Sequence, residues 1–290
     1  MTKVKGWLQS YENRINSVLP SFLPEDKSIL TQAIRYSVLS GGKRLRPLLV
    51  YLAAELGNSE KEAQDTLGCA VEFIHCYSLI HDDLPAMDDD SLRRGKPTCH
   101  KKFGEAIAIL AGDALQPLAY NLITDSKQIE NKIKTKLVST LSKACGWDGM
   151  VEGQILDISD HDHFSLEELD TMHMKKTGTL ISACLEMGGI ISNLQKTQIN
   201  LLKKFGKKIG LAFQIRDDVI DQESPSEVSG KTQGSDLIKD KLTYPSLIGI
   251  KASQERANEL SEEAKQLAKK LSGNSNKFIK LCDFIVKRDY

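Results

Sequence analysis

The chain has 290 residues, enough for one large domain or two small ones. Its 39 basic and 39 acidic side chains balance, so no net field favours nucleic acid or an anionic membrane as the main partner. Hydrophobic residues make up 40% of the chain and aromatic residues 6%, which suits a helical core better than a β-sandwich.

The predicted helices follow from apolar residues that recur at intervals of three and four, while strand patterns are nearly absent. Gly41 and Gly42 are typical of a helix end, and Pro47 fits the first turn of the next helix. Pro85 must end or bend the helix that precedes it. In chain order, the predicted helices span residues 27–39, 47–57, 60–83, 104–125, 127–145, 148–157, a helix capped by 165–168, 180–191, 199–221, 255–271 and 276–287.

Two polar segments, residues 89–103 and 223–243, interrupt the helical pattern. Helices of the same character continue on both sides of each segment, so we read them as loops rather than linkers. The sequence therefore predicts one all-α domain over residues 1–290.

The N-terminus has no apolar run of signal-peptide length, and no stretch approaches the roughly 20 uninterrupted apolar residues of a membrane span. We expect a cytoplasmic protein without a membrane span. The six cysteines include no Cys-x-x-Cys pair, which argues against a zinc site and a disulfide framework. Cys69 and Cys76 lie seven residues apart in an apolar helical pattern, so core packing is their expected role.

Two clusters of aspartate, within His81–Asp90 and Gln214–Asp221, each follow an apolar helical segment. Carboxylates at this density repel one another, and Mg²⁺ is the natural shared cation because it takes hard oxygen ligands and can exchange water for phosphate. Asp217 and Asp221 share a helix face about one turn apart, where two carboxylates can hold a divalent ion. Solvated acids at helix ends are the alternative for either cluster alone. An EF-hand does not fit the spacing.

Three basic sets accompany the acids. Gly41–Pro47 is a glycine turn at a helix N-terminus with three cations, a reasonable anion site. Ser91–Lys96 follows the first cluster directly, and Lys175–Gly178 forms a third set with the loop lysines Lys231 and Lys241. Each set alone is more often a solvated surface than a binding site. Together, the three sets could balance the excess negative charge of a metal-bound diphosphate.

Other candidate chemistry is sparse. No Walker-type phosphate loop and no nucleophile–base pair can be recognised. His75 lies seven residues before Asp82, two turns back on the same helix face, although a histidine at such a place is more often a core residue.

The segment Leu79–Thr98 closely resembles the first aspartate-rich motif of the trans-isoprenyl diphosphate synthases. Gly41–Pro47 and Gln214–Asp221 match two more motifs of that family in the same order. The resemblance runs from about residue 26 to the end of the chain and is closest to the bacterial farnesyl diphosphate synthases.

This resemblance implies an all-α helical bundle around a deep central cavity, the isoprenoid synthase fold, assembled as a homodimer. It implies condensation of isopentenyl diphosphate with dimethylallyl or geranyl diphosphate to give farnesyl diphosphate. Mg²⁺ would be the cofactor, with three ions per site and Mn²⁺ as an alternative ion. The departing diphosphate would accept the proton that is lost, since no side-chain base is evident.

The family roles carry over residue by residue. Asp82, Asp88 and Asp217 would hold the metal. Isopentenyl diphosphate would be bound by Lys43, Arg46, His75 and Arg94. The allylic diphosphate would be bound by Arg93, Lys176, Lys231 and Lys241. Thr177 and Gln214 would line the path of the developing cation, and Asp83 and Asp218 would complete the catalytic set.

Product length is expected to depend on the helix that precedes Asp82. Tyr77 lies five positions back, about 7.5 Å along a helix that rises ~1.5 Å per residue, and the small Ser78 follows it. An aromatic ring at that depth would close the bottom of the cavity and limit the product to 15 carbons, as in the bacterial C15 enzymes that the chain resembles. The alternative is that Tyr77 is ordinary core.

Several rival functions stay open at the level of sequence. A related synthase could make a C10 or C20 product. A terpene cyclase would ionise a single substrate, which leaves Lys43, Arg46 and Arg94 without a purpose. A non-catalytic subunit would be expected to lack acidic ligands, and a calcium-binding helical scaffold would bind Ca²⁺ without turnover.

Overall fold

A computed structural model of the protein describes residues 2–159, 165–223, 242–273 and 275–288. Within these ranges the secondary structure is helical apart from one short hairpin, so the all-α prediction is confirmed. The chain forms two compact units: unit 1 comprises Met1–Tyr51 and Ser59–Val138, and unit 2 comprises Leu52–Asn58 and Ser139–Tyr290. One domain over the whole chain stays a prediction.

The described helices are α1 Thr2–Val18, α2 Ile29–Val38, α3 Leu45–Ala54, α4 Lys61–Asp82, α5 Cys99–Phe103, α6 Glu105–Asp125, α7 Asn131–Cys145, α8 Met150–Ile158, α9 Leu166–His173, α10 Thr179–Ile191, α11 Lys196–Glu223, α12 Tyr244–Ile248, α13 Ile250–Ala268 and α14 Asn276–Lys287. A 3₁₀ turn spans Leu19–Phe22, a π-helical turn spans Met174–Gly178, and strands β1 Leu92–Arg93 and β2 Lys96–Pro97 pair antiparallel. Eleven of the described helices follow the predicted order, whereas α1, α5 and α12 were not predicted, and α5 and the hairpin lie in residues 89–103, which were predicted as a loop.

Unit 1 is organised around α4, which is buried along most of its length. Helix α6 packs closely on α4 because Gly112 leaves room for the ring of His81; a Cβ at position 112 would overlap that ring. Helix α1 docks through Arg14, whose guanidinium bonds Asp65 at 2.8 Å and the carbonyl of Lys61 at 2.9 Å. These contacts fix the helix whose C-terminal end carries Asp82.

Unit 2 is organised around α10, α11 and α13. Gly206 on α11 faces Ser182 of α10, and Gly210 on α11 faces Gly178 of the π-helical turn, so the backbone of α11 approaches both segments more closely than larger side chains would allow. Leu211, Ala212 and Ile215 of α11 belong to a buried apolar cluster of this unit. That cluster fixes the α11 segment that carries the second aspartate group.

Burial also decides the role of the cysteines. All six are free and buried, so the core-packing role predicted for Cys69 and Cys76 is confirmed. Burial raises the pKa of the Cys76 and Cys282 thiols to about 12, which keeps both protonated at neutral pH.

In the part of the chain that the structure describes, one helix is long and apolar enough to cross a membrane by length and composition. It is α6, and 33% of its apolar window is buried in the protein. A core helix can meet the same two criteria, so this is weak evidence for a span.

Candidate active site

The first aspartate group sits on a tight turn at the end of α4. The helix stops at Asp82, and the backbone N–H of Asp88 donates to the carbonyl of Asp82 at 2.8 Å. Asp89 completes the turn with φ of 47°, in the left-handed region that aspartate tolerates better than most residues. The turn therefore returns Asp88 to the neighbourhood of Asp82, as predicted, and both side chains are partly exposed.

The remaining acids of this group are engaged by Arg93. Its Nη2 lies 2.5 Å from Asp83 Oδ1 and 3.3 Å from Asp90 Oδ2, and Asp83 is buried. A buried carboxylate needs such a partner to stay ionised. Asp83 and Arg93 thus tie the hairpin of β1 and β2 to the end of α4.

The glycine turn before α3 is held from two sides. Arg44 is buried with φ of 48°, and its guanidinium bonds Glu72 at 2.6 Å and the carbonyl of Val38 at 2.8 Å. Arg94 donates to the carbonyl of Gly41, and its guanidinium lies where a Cβ of residue 42 would be. The conformation of the turn requires glycine at both positions, since φ is 85° at Gly41 and 125° at Gly42.

His75 lies on α4 among cations of unit 1. Burial, and then the positive charges of Arg46, Arg94, Arg93 and Arg44, hold the pKa of His75 well below its usual range. The imidazole is therefore neutral at physiological pH. Its Nδ1 is buried without a hydrogen-bond partner in the described part of the chain. Lys43 is exposed and Arg46 partly buried on the same turn as Arg44.

Tyr77 is buried on α4, five residues before Asp82. Its ring meets the ring of His81 edge to face at 5.9 Å. Ser78 Oγ donates to the carbonyl of His75 at 2.9 Å.

The second aspartate group belongs to unit 2 and lies in the last turns of α11. Arg288 donates to Asp217 Oδ1 at 2.8 Å, and the Asp217 side chain is 36% exposed. Burial lowers the pKa of Arg288, whose side chain also covers the ring of Phe213 at 3.7 Å. Asp221 is partly buried.

Asp218 is buried and receives three hydrogen bonds. Gln214 Nε2 donates to its Oδ1 at 3.0 Å. His173 Nε2 and the backbone N–H of Tyr244 each lie 3.1 Å from Oδ2. Thr177 Oγ1 donates to Gln214 Oε1 at 3.0 Å, so Thr177, Gln214 and Asp218 form one connected chain.

Lys175 and Lys176 of the third basic set lie in a π-helical turn, Met174–Gly178. π-Helical turns are rare in proteins, and those that do occur are often found at functional sites. Lys175 bonds Asp148 at 2.6 Å, and Lys176 bonds Asp157 at 2.7 Å. Helix α8 approaches this turn at Gly153, where a Cβ would overlap the backbone of Lys176.

Two predicted site residues, Lys231 and Lys241, lie outside the described residues. The predicted metal ligands are divided between the units, with Asp82 and Asp88 in unit 1 and Asp217 in unit 2. Within the described ranges, no three His, Cys, Asp or Glu side chains lie close enough together to hold a metal ion.

The sequence reasoning missed the partners of several site residues. Their common feature is that each lies far along the chain from the residue it contacts, as His173 does from Asp218, 45 residues away. The missed partners are Glu72, Asp157, His173 and Arg288. For Asp157 the sequence offers a local indication, since it is an acidic residue at the end of a predicted helix. No comparable sequence pattern marks Arg288 as a partner.

Comparison with known proteins identifies the family of the chain. The family model described as polyprenyl synthetase matches residues 27–280. The chain belongs to the polyprenyl synthetase family. Among its relatives in this family is a farnesyl diphosphate synthase of Haemophilus influenzae, 43% identical over 97% of both chains. A chloroplastic geranylgeranyl pyrophosphate synthase of Catharanthus roseus is 41% identical over 98% of this chain and 81% of its own length.

Solved structures agree on the fold of this family member. A geranyltransferase of Helicobacter pylori, solved in complex with magnesium and isoprenyl diphosphate, matches with a TM-score of 0.85 and 32% identity. The match covers 97% of this chain and 95% of the other. The predicted family and the isoprenoid synthase fold are therefore confirmed.

Proposed function

We propose that the protein is a trans-prenyltransferase that condenses isopentenyl diphosphate with dimethylallyl and then geranyl diphosphate to give farnesyl diphosphate. The observation that carries the proposal is the 43% identity to a farnesyl diphosphate synthase over 97% of both chains. The retained acids and cations of three motifs, with Tyr77 at its expected depth on α4, support it.

Mg²⁺ would be held by Asp82, Asp88 and Asp217. Their donors are carboxylate oxygens, the ligands that Mg²⁺ prefers, and all three side chains are at least partly exposed. When bound, the ions neutralise the diphosphate and so ease cleavage of its C–O bond. Three ions per site, with Mn²⁺ as a substitute, stay a prediction.

The cations are divided by substrate. Isopentenyl diphosphate is bound by Lys43, Arg46, His75 and Arg94. The allylic diphosphate is bound by Arg93, Lys176, Lys231 and Lys241. Because His75 is neutral, it contributes a hydrogen bond to the diphosphate and no positive charge.

Thr177 and Gln214 present oxygen atoms to the allylic cation. The partial negative charge of these oxygens stabilises the cation as the allylic C–O bond ionises. The isopentenyl double bond then attacks, and the departing diphosphate takes the proton that is lost. Tyr77 stops elongation at C15, and the small Ser78 leaves space beside the ring.

We further propose a homodimer in the cytoplasm. Helix α6 presents exposed residues along one face over four turns, including Ile109 at 43% and Leu110 at 53% exposure. Two neighbouring large apolar side chains exposed on one helix support an interaction surface at that place. A second copy is the occupant expected for an enzyme of this kind.

The test is incubation of the purified protein with isopentenyl and dimethylallyl diphosphates and Mg²⁺, followed by dephosphorylation and chromatographic sizing of the product. Farnesol is expected, with loss of turnover on chelation of the metal. The Asp82→Asn variant should lose most activity, whereas Asp125→Asn, an exposed acid at the end of α6, should retain it.

Other products decide between the rival functions. Geraniol or geranylgeraniol as the main alcohol would replace the C15 assignment with a C10 or C20 one. A cyclic hydrocarbon made from one allylic diphosphate alone would indicate a terpene cyclase. No turnover with any allylic diphosphate would overturn the proposal.

A further inference from the structure

We propose that Asp218 is a positioning residue: together with His173 and the backbone of Tyr244, it holds the Gln214 amide with its oxygen turned toward Thr177. The inference rests on the proposed function in one respect, the assignment of Thr177 and Gln214 to the allylic cation. It assigns Asp218 a role other than metal binding, although Asp218 belongs to the same aspartate group as Asp217.

Burial separates the two neighbouring acids. Asp218 is 3% exposed and both its oxygens accept hydrogen bonds from the protein, whereas the side chain of Asp217 is 36% exposed. A carboxylate that already receives three donors in a buried place has little capacity left for a metal ion. Asp217 is therefore the metal-binding acid of the pair, and Asp218 serves the protein side of the site.

The hydrogen bonds fix the direction of the amide. Asp218 Oδ2 accepts from His173 Nε2 and from the backbone N–H of Tyr244, which has no acceptor to offer. An ionised carboxylate only accepts, so Asp218 Oδ1 must face the NH₂ group of Gln214. Gln214 Oε1 is then the atom that faces Thr177 at 3.0 Å.

The direction has an electrostatic consequence. The Thr177 hydroxyl gives its single proton to Gln214 Oε1, and the Gln214 amide gives a proton to Asp218. The hydroxyl lone pairs of Thr177, rather than its proton, are thereby left for a developing positive charge. A flipped amide would turn N–H groups toward Thr177 and would oppose that charge.

His173 is itself held in place. Its ring stacks on Tyr244 at 5.7 Å with an interplanar angle of 19°, and both residues are buried. His173 ends α9, and the π-helical turn that follows carries Thr177. The same short segment thus supplies both ends of the chain of hydrogen bonds.

The variant Asp218→Asn tests the direction directly. Because the His173 and Tyr244 donors still require an acceptor, the oxygen of the introduced amide must take the Oδ2 place, and its NH₂ group must face Gln214. Gln214 is then expected to flip its own amide. We expect kcat to fall about 100- to 1,000-fold, the range for loss of one preorganised hydrogen-bonding group, with KM changed less than about 3-fold.

The double variant Asp218→Asn/Gln214→Glu exchanges the two groups and restores the pattern. The amide introduced at position 218 now donates to one oxygen of the carboxylate introduced at position 214, and the other oxygen accepts from Thr177 as the natural amide does. We expect this variant to recover at least about 10-fold of the lost kcat. Glu263→Gln is the matched control for the loss of one acid in unit 2, because its pair with Lys208 is exposed, and its kcat should not change.

A spectroscopic readout separates this proposal from the proposed function. The Gln214 side-chain NH₂ signal, identified by its loss in Gln214→Glu, should shift strongly in Asp218→Asn even in a protein without turnover. Absence of turnover in the natural protein would contradict the proposed function alone.

Two results would overturn the positioning role. The first is a double variant that is no more active than Asp218→Asn. If Asp218→Asn does not fold, the corresponding result is a double variant whose kcat lies below about 1% of the natural value. The other is a raised Mg²⁺ requirement in Asp218→Asn that the double variant does not reverse, which would make Asp218 a metal ligand.

Discussion

Arg44 adopts a conformation that few non-glycine residues tolerate, and its partners explain why it persists. Its φ of 48° lies in the left-handed region, which costs about 1 kcal/mol or more for a side chain of this size. Glu72, Asn16 and the carbonyl of Val38 each accept a hydrogen bond from the guanidinium. The buried pair with Glu72 therefore fixes the turn that carries Lys43 and Arg46.

Removal of one member of that pair should destabilise unit 1 strongly. In Glu72→Gln the Arg44 charge stays buried without its counterion, so the free energy of unfolding should fall by about 3 kcal/mol in urea denaturation. The control is Glu259→Gln, whose partner Arg256 forms an exposed pair worth less than about 1 kcal/mol. Equal losses in the two variants would contradict the structural role of Arg44.

His75 gives the protein a pH dependence with a defined sign. Its pKa is depressed in the folded state by burial and by neighbouring arginines, so below the ordinary value of about 6.5 the unfolded chain takes up a proton that the folded one does not. Stability should be complete above pH 6.5 and fall as the pH is lowered, by about 1 kcal/mol at pH 5.5. Urea denaturation at pH 7.5 and 5.5 measures the loss. His75→Gln should lose less over the same interval, and an equal loss would argue against His75 as its source.

Tyr77 should limit product length through the bulk of its ring. Tyr77→Ala removes the ring from the wall of the proposed cavity, so the main product should lengthen to C20 or beyond. Tyr77→Phe keeps the ring and should still give C15. The measurement is chromatography of the dephosphorylated products, and an unchanged profile in Tyr77→Ala would refute the assignment.

At the scale of the element, Gly153 lets α8 approach the π-helical turn. Gly153→Ala should gain helix propensity, yet its Cβ would overlap the backbone of Lys176, and overpacking costs about 1–3 kcal/mol. We expect a lower Tm and a lower kcat, since Lys176 must move. Gly6→Ala on α1 is the control, because no atom lies within 4 Å of the added Cβ, and its Tm should stay equal or rise. A rise in Tm for both variants would contradict the close approach.

Helices with long apolar periodicity were predicted accurately. The prediction for α4 is within one residue at each end, and α14 agrees at both ends. Helix α1 was missed although Trp7, Tyr11, Ile15 and Val18 recur at intervals of three and four; of these four residues, only Tyr11 and Ile15 are buried. Helix α12 was missed because its length of five residues is too short to show the repeating apolar pattern by which a helix is recognised.

At the scale of the whole molecule, motifs within one segment could be predicted and contacts between segments could not. The return of Asp88 toward Asp82 follows from Pro85 and a short turn, so the sequence was sufficient. The partners of Arg44, Lys176 and Asp218 come from other helices, and nothing in a single sequence specifies which helix packs there. Burial also separates Asp218 from Asp217, and helical periodicity accounts for the difference, because Asp218 lies three residues after Ile215 and seven after Leu211 on the buried face of α11.

The proposed dimer makes a prediction about mass. If a second copy covers the exposed face of α6, the natural protein should elute with twice the 32.2 kDa of one chain in light-scattering chromatography, and Leu110→Glu should shift it toward a single chain. A charge placed in an apolar interface loses hydration without gaining a partner, which weakens association by several kcal/mol. Ile250→Glu on α13 is the matched control, because Ile250 is 38% exposed on a different helix. A monomeric natural protein, or equal dissociation by both variants, would rule out α6 as the interface.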